Sequence, residues 1–187
     1  MEQAGTAMTL FESRFHTAVQ YFQSGRLEEA KSVGKQLLQQ QPKAPGVLQL
    51  LGEIAMQQGN STLAKSMFSL AVDSAPKNPQ AHYRLANVLL TLRQNPAAAQ
   101  HYRRAIRLKP DYWQCHVNLG VLWRSEGRFN EARQHFEQAL SYNPGLTVVS
   151  CYLLDLMLSL GELGTIKKWS GKINSLIQRC ITDKQVN

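Results

Sequence analysis

Pro42, Pro76, Pro110 and Pro144 stand 34 residues apart, and this single spacing constrains the chain more than any other feature. A fixed period of that length marks an array of supersecondary units, each too small to bury its own apolar face and stable only against its neighbours. Other residue classes keep the same register. Ala30, Ala64, Ala98 and Ala132 advance by 34, as do Leu51, Leu85, Leu119 and Leu153 and the rings Phe68, Tyr102 and Phe136. Gly25, Gly59, Gly127 and Gly161 repeat likewise, with Arg93 at the one missing glycine place.

Within one period the chemistry predicts two helices and two breaks. Residues 116–127 put Leu119, Leu122 and Trp123 on one helical face, and Gly127 offers the open backbone at which a helix stops. Residues 128–144 carry Phe129, Ala132, Phe136, Ala139 and Leu140 at three- and four-residue steps, and Pro144 ends that run because it has no amide proton. Small residues, Gly52, Ala86 and Gly120 in the first helix and the alanines of the second, fall where the helices must approach closely. In the third unit Asn95 and Pro96 read as an N-cap and first-turn pair, offsetting the absent glycine.

These residues resemble the tetratricopeptide repeat, whose pattern is W-x2-L-G-x2-Y, then A-x3-F, then a late A and P. The fourth unit matches it as Leu119-Gly120, Trp123, Gly127, Ala132, Phe136, Ala139 and Pro144, with His116 in place of the opening aromatic. The second matches through Leu51-Gly52, Ala55, Gly59, Ala64, Phe68, Ala71 and Pro76, and the third through His82, Leu85-Ala86, Ala98, Tyr102, Ala105 and Pro110. Both ends depart: Arg14, Thr17 and Gly34 stand at motif places in the first unit, and Leu154, Ile166 and Ser170 in the fifth. The resemblance implies an all-α, right-handed superhelical solenoid of antiparallel helix hairpins, about five repeats with a C-terminal capping helix. The expected units are 11–44, 45–78, 79–112, 113–146 and 147–181, flanked by flexible tails at 1–9 and 182–187. The cap is the amphipathic run with Ile166, Trp169, Ile173, Leu176, Ile177 and Cys180 on one face.

The resemblance also implies a groove lined by the first helix of each unit. Its places fall on Phe15, Val19 and Phe22; on Gln49, Glu53 and Met56; on Tyr83, Arg84, Asn87 and Leu90; on Val117, Asn118, Val121 and Arg124; and on Tyr152 and Asp155. An apolar floor with arginine and asparagine above it suits a peptide backbone or a carboxylate. Some relatives grip a C-terminal carboxylate with a Lys/Asn/Arg clamp. Arg84 and Asn118 stand at clamp-like places, but Phe15 and Val19 replace the lysine and asparagine of the first unit, so the full clamp is absent. Asn118 is similar to the asparagine found in the repeats of protein O-glycosyltransferases, although one asparagine is not a ladder.

The remaining chemistry is spare. His82 and His116 are 34 apart, as are His101 and His135, and duplicated repeats inheriting the same residue account for this without a metal; neither metal nor cofactor is expected. No GxSxG elbow, phosphate loop or HExxH motif occurs, so the chain reads as non-catalytic. Net charge +8 favours acidic partners, yet the basic residues are scattered over helix faces without interleaved aromatics, which argues against nucleic acid. Three cysteines make no disulfide framework, and neither a signal peptide nor a membrane-spanning run is present, so a cytoplasmic setting is expected without membrane insertion. The resulting expectation is a protein-interaction scaffold or adaptor that takes a peptide or helix of a partner. Two alternatives are a substrate-recruiting domain of a larger enzyme, such as a glycosyltransferase or sulfotransferase, and a self-assembling homo-oligomer.

Overall fold

The computed structural model describes residues 2–161, with side chains from residue 10 onward. Among them nine helices run in order: α1 (Glu2–Gln23), α2 (Leu27–Gln40), α3 (Pro45–Gln57), α4 (Ser61–Ser74), α5 (Pro79–Thr91), α6 (Asn95–Leu108), α7 (Trp113–Ser125), α8 (Phe129–Tyr142) and α9 (Thr147–Ser159). No strand occurs among the described residues, and the fold is an all-α array of helix hairpins. α1 begins at Glu2, ahead of the unit boundary expected at residue 11. The expected cap, from Ile166 to Cys180, and the tail at 182–187 lie outside the described residues. The chain divides into two compact bodies, residues 1–104 and 105–187, with the division inside α6.

The 34-residue period appears as a repeated helix stop. Gly25, Gly59, Gly127 and Gly161 take positive φ, from 68 to 77°, and Arg93 joins them at 57° in the third repeat. The residue after each of the first three and after Arg93 returns its amide to a carbonyl five residues back: Arg26 to Tyr21, Asn60 to Ala55, Gln94 to Leu89 and Arg128 to Trp123, all at 2.8 Å. This is the Schellman closure, which satisfies the last carbonyls of the first helix and turns the chain into the second. The missing glycine is thus replaced by Arg93 itself. Asn95 is already the first residue of α6 rather than its cap, since the Ala98 amide bonds to the Gln94 carbonyl at 3.0 Å.

Helix starts are fastened in two ways. The Asn60 side chain accepts from the Leu63 amide at 3.0 Å, and Asn78 accepts from the Gln80 amide at 2.9 Å with Pro79 in the first turn. In repeats one and four an arginine does the work instead. Arg26 lies 4.3 Å from the Tyr21 ring centre and 2.9 Å from Glu29; Arg128 lies 3.9 Å from the Trp123 ring and 2.8 Å from Glu131. Those hydrogen bonds hold both glutamates below their usual pKa.

In the N-terminal body successive helices from α1 to α5 pack against one another, with α1, α2 and α3 joined around Ala18, Ala30, Leu37, Val47, Leu50 and Ile54. In the C-terminal body α7 packs on α8 and α8 on α9, burying Leu119, Trp123, Ala132, Phe136, Leu153 and Met157. The small residues set this spacing: a Cβ on Gly52 would stand 2.5 Å from the Phe68 ring, and one on Gly120 would stand 2.5 Å from the Phe136 ring. The first repeat solves the same problem in reverse. Gly34 stands where a ring is usual, and the Leu51 side chain fills the space, 2.9 Å from where its Cβ would be.

Candidate functional site

The residues expected to line a binding face sit on the first helices, and their surroundings differ between the two bodies. In the N-terminal body Phe15, Val19 and Phe22 of α1 are partly buried against the core, with the Phe15 ring over Gly46. Gln49, Glu53 and Met56 of α3 and Tyr83, Arg84, Asn87 and Leu90 of α5 are half-buried. Glu53 forms an ion pair with Arg84, which joins the two helices across that face. Tyr83 lies with its ring 6.1 Å from that of Tyr102, and Asn87 accepts a 2.6 Å hydrogen bond from the Tyr102 hydroxyl. A fully buried tyrosine needs such an acceptor. In the neighbouring repeats, where Phe68 and Phe136 replace Tyr102, Glu53 and Val121 stand at the place of Asn87.

In the C-terminal body Val117 and Asn118 are half-buried on α7, and Arg124 reaches α9. Its guanidinium donates to the Asp155 carboxylate at 2.6 Å and lies 5.0 Å from the centre of the Tyr152 ring, which in turn lies 5.8 Å from the Phe136 ring between centroids, tilted by 37°. On the same two helices Val121 is 42% exposed, Val148 62% and Leu158 55%. Cys151 is also exposed there, whereas burial pushes the Cys115 thiol up to about 12.

Sequence reading placed the arginines and the acidic residues Glu53 and Asp155 on these faces, but not the pairing between them across the helices. It also passed over Val148 and Leu158, although both occupy groove-type motif places in the fifth repeat, the second and the twelfth. Arg84 and Arg124 therefore meet any incoming carboxylate already paired. Both pairs are solvent-touched, with the side chains of Arg124 and Asp155 38% and 58% exposed, so exchange of one carboxylate for another costs little. Among the described residues no group of three or more metal-type ligands occurs, and no helix is long and apolar enough to cross a membrane.

No curated protein matches the chain in sequence. Solved structures match in fold: MamA has a TM-score of 0.79 at 21% identity, covering 88% of this chain and 96% of that one. YrrB, described as a TPR protein with an unusual peptide-binding site, has a TM-score of 0.69 at 21% identity over 80% of this chain and 77% of that one. The O-GlcNAc transferase of Thermobaculum terrenum has a TM-score of 0.66 at 24% identity, over 72% of this chain but only 26% of that one. The tetratricopeptide repeat family model matches residues 50–112 and 83–146, which together span just over half of the chain. With the Schellman-closed hairpins and their 34-residue register, this match makes the chain a member of the tetratricopeptide repeat family.

Proposed function

We propose that the chain is a non-catalytic interaction scaffold that receives a peptide or helix of a partner protein on its first-helix faces. The observation that carries this reading is that α7 and α9, which carry the paired Arg124, Asp155 and Tyr152, also carry Val121, Val148 and Leu158 exposed. Apolar side chains left open beside a half-screened ion pair and an aromatic ring suit a partner that buries its own apolar groups and presents a carboxylate or a backbone carbonyl. The Glu53, Tyr83, Arg84 and Asn87 face of the N-terminal body offers the same chemistry with more of it already satisfied internally. The peptide-binding site named for YrrB lends support by analogy of fold. The net charge of +8 favours an acidic segment.

Selection of a displayed random-peptide library against the full chain tests the proposal. Enriched peptides should be acidic with apolar anchors, and Tyr152→Ala should weaken them about thirtyfold, the size of a hot-spot loss of ~2 kcal/mol. Arg104→Ala, on the second-helix side, should change mainly the salt dependence. Full affinity in the Tyr152 variant, with loss in the Arg104 variant, would move binding to the outer surface. A second reading is that the array recruits substrates for a larger enzyme. It draws on the transferase match, of which the chain spans about a quarter.

A further inference from the structure

Four of the five histidines form two equivalent pairs, and their geometry determines how many protons each pair can hold. His82 of α5 faces His101 of α6 with their Nδ1 atoms 3.0 Å apart, and His116 of α7 faces His135 of α8 at 3.1 Å. In both pairs the ring centroids are 5.3 Å apart, longer than the nitrogen gap by about two ring radii. The two nitrogens therefore lie between the rings and point at each other, as in a linear N–H···N hydrogen bond. An ion shared by two imidazoles would want its ligands to converge at an angle instead.

The hydrogen-bond network assigns the protons. His82 Nε2 lies 3.1 Å from the Pro76 carbonyl, which can only accept, so Nε2 carries a hydrogen and neutral His82 presents a lone pair at Nδ1. The hydrogen in the gap then belongs to His101 Nδ1. One additional proton can be placed on His101 Nε2 with this bond intact. A second additional proton would put an N–H on both sides of a 3.0 Å gap, donor against donor and charge against charge. In the equivalent pair the Pro110 carbonyl favours the charged form of His116 but falls outside hydrogen-bond geometry to Nε2.

We propose that these pairs are acid-sensitive latches of repeats three and four: each accepts one extra proton with its hairpin closed, and a second proton enters only when the two helices part. Burial lowers the pKa of His101, helped by the neighbouring His82, and burial lowers that of His116. A lowered folded pKa means that the unfolded chain binds more protons below its ordinary histidine value of about 6.5. The contribution is therefore complete above that pH and is lost as pH falls from it through the lowered folded value. The ionic groups on the elements around the first pair are Lys65 and Asp73 on α4, Arg84 on α5, and Arg103, Arg104 and Arg107 on α6. Around the second they are Arg124 on α7, Glu131, Arg133 and Glu137 on α8, and Asp155 on α9. Of these, Glu131 interacts electrostatically with His135.

Denaturant unfolding of the full chain between pH 7.5 and 5.5, where carboxylates stay ionised, tests this. Exclusion of one proton per pair predicts that the unfolding constant of the wild type rises by at least about a hundredfold across that range, since the lowered pKa values of His101 and His116 add to it. In His101→Gln with His135→Gln each remaining ring faces an amide that can accept its proton, and the rise should fall to about tenfold or less. Nitrogen-15 imidazole spectra of the wild type at pH 7.5 should show scalar coupling across the Nδ1–H···Nδ1 bond. An equal pH step in wild type and variant, or uptake of a proton by all four rings while the hairpin amides keep native exchange protection, would overturn the proposal.

Discussion

Arg93 is the residue at which the repeat departs from its own rule, because it holds the left-handed backbone that the other turns give to glycine, at φ 57°. That conformation places Cβ against the following carbonyl and costs a non-glycine residue about 1–2 kcal/mol, partly offset by the greater freedom that glycine has in the unfolded chain. Arg93→Gly should accordingly stabilise the protein by roughly 0.5–1 kcal/mol, read as a higher midpoint in urea at unchanged slope. The Asn87–Tyr102 hydrogen bond is a second local adaptation. Tyr102→Phe and Asn87→Val should each cost about 1 kcal/mol, and the double variant, which recreates the Val121–Phe136 combination of the next repeat, should recover part of that loss. A double-mutant cycle that closes additively would show that the hydroxyl draws no stability from Asn87. The sequence displays both combinations, but only the fold shows that these two places, 15 residues apart, touch.

At the scale of the helix pair, the spacing between first and second helices is set by which small residue faces the ring. Repeats two and four have glycine there, Gly52 and Gly120, while repeat three has Ala86, fully buried. Once the backbone is set, either exchange is unfavourable. Gly120→Ala drives a Cβ into Phe136 and should cost about 1–3 kcal/mol by overpacking, and Ala86→Gly should cost about 1 kcal/mol through lost helix propensity and contact. Thermal or urea unfolding of the two variants checks both signs, and an unchanged Gly120→Ala would mean that the α7–α8 separation is not governed by this contact. The alanine and glycine ladder was legible as a lattice of close approaches. The identity of the opposing ring atom was not, because it depends on how the two helices rotate about their axes.

Across the whole chain, an array of hairpins is coupled mainly between nearest neighbours, so a local defect lowers protection locally before it spreads. In Gly120→Ala, hydrogen exchange should therefore accelerate in α7, α8 and α9 while amides of α1 to α3 keep their wild-type protection. Uniform acceleration from α1 onward would mean that the array unfolds as one cooperative block. The sequence by itself determined the repeat length, the family and the helix–turn–helix content. Those properties follow from local stereochemistry: the 3.6-residue period, the glycine that ends a helix and the proline that cannot continue one. Tertiary structure alone decided that Arg93 takes the glycine conformation and that Arg84 and Arg124 are already paired with Glu53 and Asp155. It alone decided that the duplicated histidines face each other nitrogen to nitrogen. The ion pairs and the histidine pairs depend on distances between side chains 19 to 31 residues apart in sequence, set only when the helices pack, and no spacing along the chain encodes them.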